Sequence, residues 1–436
     1  MRFIINIFSK SLIIISALIL LYILYRSEIV WLSEKRSYYK WYFLLSILLM
    51  FFGFISFNFS NEIKRYLIII FFSLILSFYS FEFYIIYKND FKKISNYKNN
   101  FDIDYDRRTK FEIFKDLNEK DTYVVTIAGK LYNSILKKEN FFPLSGISNS
   151  NTIHCNENGY YSIYKSDRYG FNNPDNEWDE EEIEYLIVGD SFVHGNCVNR
   201  PNDISSVLRG ISKKNVINLG YEHHRGPLME YASLREYFKD NVKKVLWVYF
   251  EGNDLYDLNN ELNNEILIKY LKDNTFSQNL IDSQNRIDNL AKKIIYKKSL
   301  DDLKIESLFI KFLKIYNTRS LIKLIFNPNE TFFHNKNEFI KILKLTKQLT
   351  EANKANLYFV YLPDFNRYVT NYDNSNYLEI KKIIDDLKIP FIDIHKDVFQ
   401  KEANPLDLFP FGQKGHYNII GYKKVAEKIY NHTLND

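Results

Sequence analysis

The sequence predicts an α/β domain built on a parallel sheet and carried behind an N-terminal membrane anchor. Two observations predict it. Over the C-terminal half, short apolar runs alternate with amphipathic helix-like segments, the pattern of a parallel sheet with helices on both faces. In the first 87 residues, long apolar stretches almost free of charge follow one another. With 46% hydrophobic and 17% aromatic residues in a chain of 436, the composition excludes a disordered or collagenous protein.

The anchor reads as three spans over residues 1–87. Trp41 to Asn61 carries no charge, and at about 1.5 Å per residue it can cross a hydrocarbon core of roughly 30 Å. Tyr66 to Tyr87 is nearly as apolar, interrupted only by Glu82 close to its end, where a carboxylate reaches toward the interface. Ser11 to Tyr25 is charge-free but short, so spanning needs Lys10 to snorkel and Ile4 to Phe8 to contribute. A signal peptide is the rival reading, but no A-x-A-like cleavage site follows and two further spans come directly after.

Charge is divided unevenly between anchor and domain. Of 58 Lys and Arg the first 87 residues hold 8, and of 53 Asp and Glu they hold 4, which leaves 50 against 49 downstream. A nearly neutral domain does not support a nucleic-acid partner, and the net charge of +5 is mostly a membrane-border feature. The mean hydropathy of −0.29 likewise averages two unlike regions.

Residues 88–180 form a polar, Asn-, Lys- and Asp-rich connector and lead-in, and 181–436 the α/β domain proper. Strands are predicted at Glu184 to Val188, Val216 to Leu219, Val245 to Phe250, Leu357 to Tyr361 and Pro390 to Ile394. Helices are predicted at Ile204 to Ile211, Leu228 to Phe238, Asn337 to Leu349, Leu378 to Leu387 and Tyr422 to Tyr430. A Lys-, Asn- and Leu-rich helical stretch at about residues 257–333 reads as an insertion over one edge of the sheet.

Ligands of open α/β sheets sit beyond the carboxyl ends of the strands. The first strand ends in Gly189-Asp190-Ser191-Phe192, the second in Asn218-Leu219-Gly220 and the third in Glu251-Gly252-Asn253-Asp254, while Gly415-His416-Tyr417-Asn418 precedes the last helix. Ser191 is a weak nucleophile alone and needs a base, for which His416 is the candidate, since imidazole titrates near neutral pH. The N–H groups of Ser191 and Gly220 and the side-chain NH2 of Asn253 are candidate donors to an oxyanion. Asp190 is expected to brace the nucleophile loop.

These four blocks, in this order over about 230 residues, resemble the SGNH/GDSL hydrolase family. The segments YKSDRYGFNNP from Tyr164 to Pro174, PNDI after the nucleophile and GHYNIIGY near the end are similar to a membrane-anchored bacterial group within that family. The resemblance implies acyl-ester chemistry on a three-layer, flavodoxin-like α/β sheet, with no cofactor. One position departs from the pattern: the family usually carries Asp three residues before the base histidine, and here that residue is Gln413. A carboxylate from elsewhere is one resolution, with Asp407 on the same loop the first candidate and Asp393 the second. A Ser-His dyad and a loss of catalytic power are the others.

His194, His223 and His224 are expected on the rim of the site, as solvated or substrate-contacting groups, because no fourth ligand with metal-site spacing accompanies them. Arg225 reads either as a plain surface arginine or as a group that holds a substrate carboxylate or phosphate. Tyr221 and Tyr417 are placed to stack on a sugar. The expected protein is therefore a serine esterase tethered to the bacterial inner membrane, deacylating a glycan or lipid-linked saccharide. An O-acyltransferase working with a membrane partner and a non-catalytic binding protein are the alternatives. Cys155 and Cys197 are compatible with one disulfide in an oxidising compartment, or with two reduced buried thiols. The domain is expected to face away from the cytoplasm, although the excess of Lys and Arg flanking the spans on its side argues the other way.

Overall fold

Among the described residues, three helices near the N-terminus are long and apolar enough to cross a membrane: Ile7–Ile29, Tyr38–Asn58 and Asn61–Ser95. The first lies mostly within a helix running Arg2–Leu24, so the residues before Lys10 do lengthen the short charge-free stretch. The structure, a computed structural model, describes residues 2–30, 36–101, 104–125, 141–222, 225–294, 308–326 and 335–434. It separates into two units, one of Met1–Ile86 with Phe312–Thr318, the other of Tyr87–Lys311 with Arg319–Asp436.

Among its described residues the second unit holds two sheets. Tyr123–Val125 (β1), Asn151–Ile153 (β2) and Ile163–Lys165 (β3) form a small one, with β1 parallel and β3 antiparallel to β2. The main sheet contains Ile183–Val188 (β4), Val216–Asn218 (β5), Val242–Phe250 (β6), Asn356–Leu362 (β7) and Phe391–Asp393 (β8). All its pairings are parallel, in the order β5-β4-β6-β7-β8. The chain thus begins inside the sheet, adds one strand on one side and then crosses to build outward on the other. In such a doubly wound sheet the ligand crevice opens where the winding reverses, beyond the carboxyl ends of β4 and β6.

Successive side chains of a strand point to opposite faces, and here both faces are dry. Leu186, Val188, Val245 and Trp247 enter one core with Leu228, Tyr231, Phe339 and Ile380 from the helices Pro227–Tyr237, Lys336–Ala352 and Ser375–Asp386. Tyr185, Ile187, Leu246 and Val248 enter the other with Ile204, Leu208, Tyr422 and Val425 from the helices Ile204–Ser212 and Ile419–Thr433. Burial on both faces is why the strands read as unbroken apolar runs instead of alternating ones. At roughly 1.5–3 kcal/mol per fully buried large apolar side chain, these two cores supply most of what holds the crevice rigid.

The lead-in is more ordered than its polar sequence suggests. Val124, Val125, Ile153, Phe171 and Trp178 belong to the first core, so the small sheet is seated against the domain. Three-residue strands leave too few alternations to be read from sequence. The stretch after β6 contains the helices Asp254–Glu261, Leu267–Lys272 and Gln284–Ile294, whose Leu258, Leu267, Tyr270 and Ile287 join the same core, followed by Leu308–Leu313 and Tyr316–Phe326.

Candidate active site

Ser191 begins a single helical turn, Ser191–His194, directly after β4. Asp190 is its N-cap, accepting the Phe192 N–H at 2.9 Å, and Gly195 closes it at φ 82°, a left-handed conformation that suits glycine. As the first residue of a helix, Ser191 has an amide N–H with no intrahelical acceptor. Its Oγ lies 2.9 Å from His416 Nε2 and 3.3 Å from Asp190 Oδ2. Burial holds the Asp190 carboxyl up, at about 6, although the Phe192 N–H favours its anion.

His416 is held from three sides. Tyr417 is buried in the core with its hydroxyl donating to the Pro363 carbonyl at 2.7 Å. Asn418 caps the last helix, accepting the Gly421 N–H at 2.9 Å and donating to the Asp407 carbonyl at 2.7 Å. The third hold is a carboxylate, Glu157, on the turn between β2 and β3. It accepts the His416 backbone N–H at 2.6 Å and lies 3.1 Å from Nδ1 through either oxygen. A carboxylate facing Nδ1 selects the tautomer with its proton there, leaving the Nε2 lone pair toward Ser191 Oγ.

The carboxylate that faces His416 is therefore that of Glu157, and not the expected Asp407 or Asp393. Asp407 is exposed and accepts from Asn404 Nδ2 at 2.8 Å. Asp393 accepts from Tyr377 Oη at 2.6 Å and from the Lys396 N–H at 3.0 Å as a local cap. Gln413 turns toward the Asn89 carbonyl, 3.5 Å away. Burial is the largest influence on the His416 imidazole and pushes it down, but the charge and hydrogen bond of Glu157 outweigh it and hold His416 above its ordinary value. The partnership works in the opposite sense on Glu157: burial pushes its carboxyl up, and the His416 charge and hydrogen bonds hold it below the usual range.

Cys155 and Cys197 form a disulfide. It ties the turn that carries Glu157 to the segment six residues beyond Ser191. Asn158 adds a second tie, donating to the Cys197 carbonyl at 3.0 Å. The groups Glu157, Cys197 and His416 cluster closely enough to suggest a metal, yet the Cys197 sulfur is bonded to Cys155 and offers no thiolate.

Gly220 lies against the nucleophile turn, where a Cβ would come within 2.5 Å of the His194 backbone nitrogen. Its N–H donates to Asn218 Oδ1 at 2.7 Å, so this expected oxyanion donor is already engaged. Asn253 Nδ2 donates to Asp257 Oδ2 at 2.9 Å, using one of its two hydrogens. Asn196 was not singled out from the sequence; its Nδ2 lies 3.3 Å from His416 Nε2, beside the Ser191 hydroxyl.

The expected rim is largely interior. His194 is 0% exposed and stacked between the rings of His154, at 4.6 Å, and Tyr221, at 5.4 Å. Arg225 is 1% exposed, its guanidinium donating to the Leu144 carbonyl at 2.9 Å and to the Ser233 hydroxyl. Burial lowers its pKa to about 10, against the pull of Glu230 and Glu261. Tyr417 and Tyr221 are buried too, so neither presents a sugar-stacking face. A place shortly after a strand puts a residue near the crevice, but packing decides which way its side chain turns. His223 and His224 lie outside the described residues.

No protein-family model matches the chain, and no curated protein matches it. Among solved structures, a provisionally assigned lipolytic protein of G-D-S-L family from Desulfitobacterium hafniense aligns over 57% of this chain and 99% of its own, at 15% identity and a TM-score of 0.32.

Proposed function

We propose that the protein is a membrane-anchored serine esterase of the SGNH/GDSL type, acting on acyl esters of a glycan or lipid-linked saccharide at the membrane surface. The observation that carries this reading is the hydrogen-bonded line Ser191 Oγ, His416 Nε2 and Nδ1, Glu157 carboxylate. Ser191 Oγ attacks the ester carbonyl while His416 Nε2 takes its proton. The oxyanion is met by the Ser191 N–H and the remaining N–H of Asn253. His416 then protonates the leaving alcohol, and water, activated by the same imidazole, releases the acid and restores the serine. A carboxylate at Glu157 removes the reason for reading Gln413 as a sign of lost activity.

The membrane surface enters through residues of the catalytic unit itself. The apolar run of the third span ends at Tyr87, and the Asn89 carbonyl already accepts from Gln413, on the loop that leads to His416. Tyr97 covers Gly159, on the turn that bears Glu157. Side-chain exposures of 21% for His416 and 31% for Glu157 leave the site open to water, which supports hydrolysis over transfer. The disulfide supports an extracytoplasmic domain; alkaline phosphatase fused to the C-terminus should then be active in cells, and an inactive fusion would reverse the orientation.

The direct test is a fluorophosphonate probe on the detergent-solubilised full-length protein. Only an activated serine reacts, so covalent label mapped to Ser191 is expected, and absence of label on folded protein would sink the esterase reading. The disulfide adds a further expectation. A misplacement of about 1 Å can cost about 10²-fold in rate. Reduction by a dithiol, or replacement of both cysteines with serine, should therefore lower kcat by up to about 10²-fold with little change in circular dichroism. An unchanged kcat would show that Asn158 alone is enough to seat Glu157.

A further inference from the structure

Glu82 interrupts the apolar run of the third span, and its surroundings show what answers it. Its carboxylate accepts from Asn317 through the backbone N at 3.0 Å and Nδ2 at 2.9 Å, and from Thr318 through the backbone N at 2.8 Å and Oγ1 at 2.8 Å. These donors open the helix Tyr316–Phe326, whose unsatisfied N–H groups and dipole favour an anion. Almost one turn earlier on the span, the Tyr79 hydroxyl donates to the Leu313 carbonyl at 3.0 Å, and its ring lies 5.2 Å from that of Phe312. Phe312–Thr318 accordingly falls in one unit with the spans, although more than 200 residues separate them.

Depth follows from the helix rise. Glu82 and Tyr79 lie five and eight residues before Tyr87, the last of the apolar run, or about 7 and 12 Å along the axis. A segment bonded to both side chains at those levels sits within the leaflet rather than above it. Its own side chains suit that place. Leu313 and Tyr316 are 49% and 55% exposed. Lys311 and Lys314 are exposed as well, with stems long enough to carry their charge back to the headgroups. Glu82 is 0% exposed with four donors around it, which is how a carboxylate becomes tolerable in a hydrocarbon layer.

We infer that Phe312–Thr318 is a re-entrant membrane element, bonded to the third span through Glu82 and Tyr79, whose exposed apolar side chains rest among the lipid acyl chains of the leaflet from which that span emerges. The stretch between β6 and the helix Lys336–Ala352 thereby supplies a second attachment to the bilayer. This inference does not depend on the esterase reading.

The test uses the full-length protein in phosphatidylcholine–phosphatidylglycerol vesicles, with Leu313→Cys carrying an environment-sensitive NBD fluorophore while Cys155 and Cys197 remain paired. Most of the emission should be lost to lipids spin-labelled on the acyl chain, and little to iodide in the water. Tyr256→Cys, at a position 54% exposed on the domain, should show the reverse and report that the protein is folded. Iodide quenching at Leu313→Cys without lipid quenching would place the segment in water and overturn the inference. Adding Glu82→Gln should open the label to iodide; unchanged lipid quenching there would overturn Glu82 as the attachment.

Discussion

Ser191→Ala is expected to lower ester hydrolysis by about 10⁶ in kcat, the scale on which a serine hydrolase loses its covalent route. The change removes one oxygen. Among the described residues its Oγ bonds His416 and Asp190, each of which keeps its other partner, Glu157 for the imidazole and the Phe192 N–H for the carboxylate. Stability should therefore change little, and KM should stay close to that of the unaltered protein, because the donors that bind the ester carbonyl are untouched. Hydrolysis of p-nitrophenyl acetate by the two purified proteins checks this. Equal rates would remove Ser191 as the nucleophile.

Glu157→Gln is expected to cost about 10⁴ in kcat, as an Asp-to-Asn change beneath a catalytic histidine does. The amide oxygen can still accept the His416 backbone N–H, so the loop has no reason to move. What changes is charge and tautomer. An amide NH2 facing Nδ1 favours the form protonated on Nε2, which cannot take a proton from Ser191, and the anion that contacts the imidazolium is lost. The pH profile separates this role from a structural one. With Glu157 present His416 is held above its ordinary value, so activity, which needs the neutral base, should rise with pH through a limb above about 6.5. Without that charge burial meets only the smaller pull of Asp190 and Glu222 on the ring, and the limb should move to lower pH. A profile of kcat/KM that keeps its limb in Glu157→Gln would show that Glu157 only shapes the loop.

Much of the fold was legible because burial on both faces of a parallel sheet writes unbroken apolar runs such as VLWVYF, and crossover helices write the 3.6-residue pattern between them. Ser191 and His416 were legible for a related reason. Strand ends and the loop before the last helix are positions that the topology brings to one crevice, whatever the side chains do there. His194, Arg225 and Tyr417 share that kind of position and still turned inward. On a one-turn helix or a short loop, side-chain direction is settled by what packs around it, and His194 found the rings of His154 and Tyr221. One signal for Glu157 was present in the sequence. A bond between Cys155 and Cys197 sets their Cα atoms 4.9 Å apart, which brings residue 157 toward the Ser191 segment, whereas two free thiols would carry no such constraint.

By itself, then, the sequence determined the helices apolar enough to cross a membrane, the parallel sheet, and the meeting of Ser191 with His416, since each depends on local periodicity or on a place in the strand order. The tertiary structure alone decided which carboxylate completes the site and what answers Glu82. Glu157 stands 259 residues from His416, and Glu82 stands 235 and 236 residues from Asn317 and Thr318. No spacing rule reaches that far. A charge–imidazole pair or a capped carboxylate forms wherever two loops fold to one point, and that point is set by the packing of everything between them.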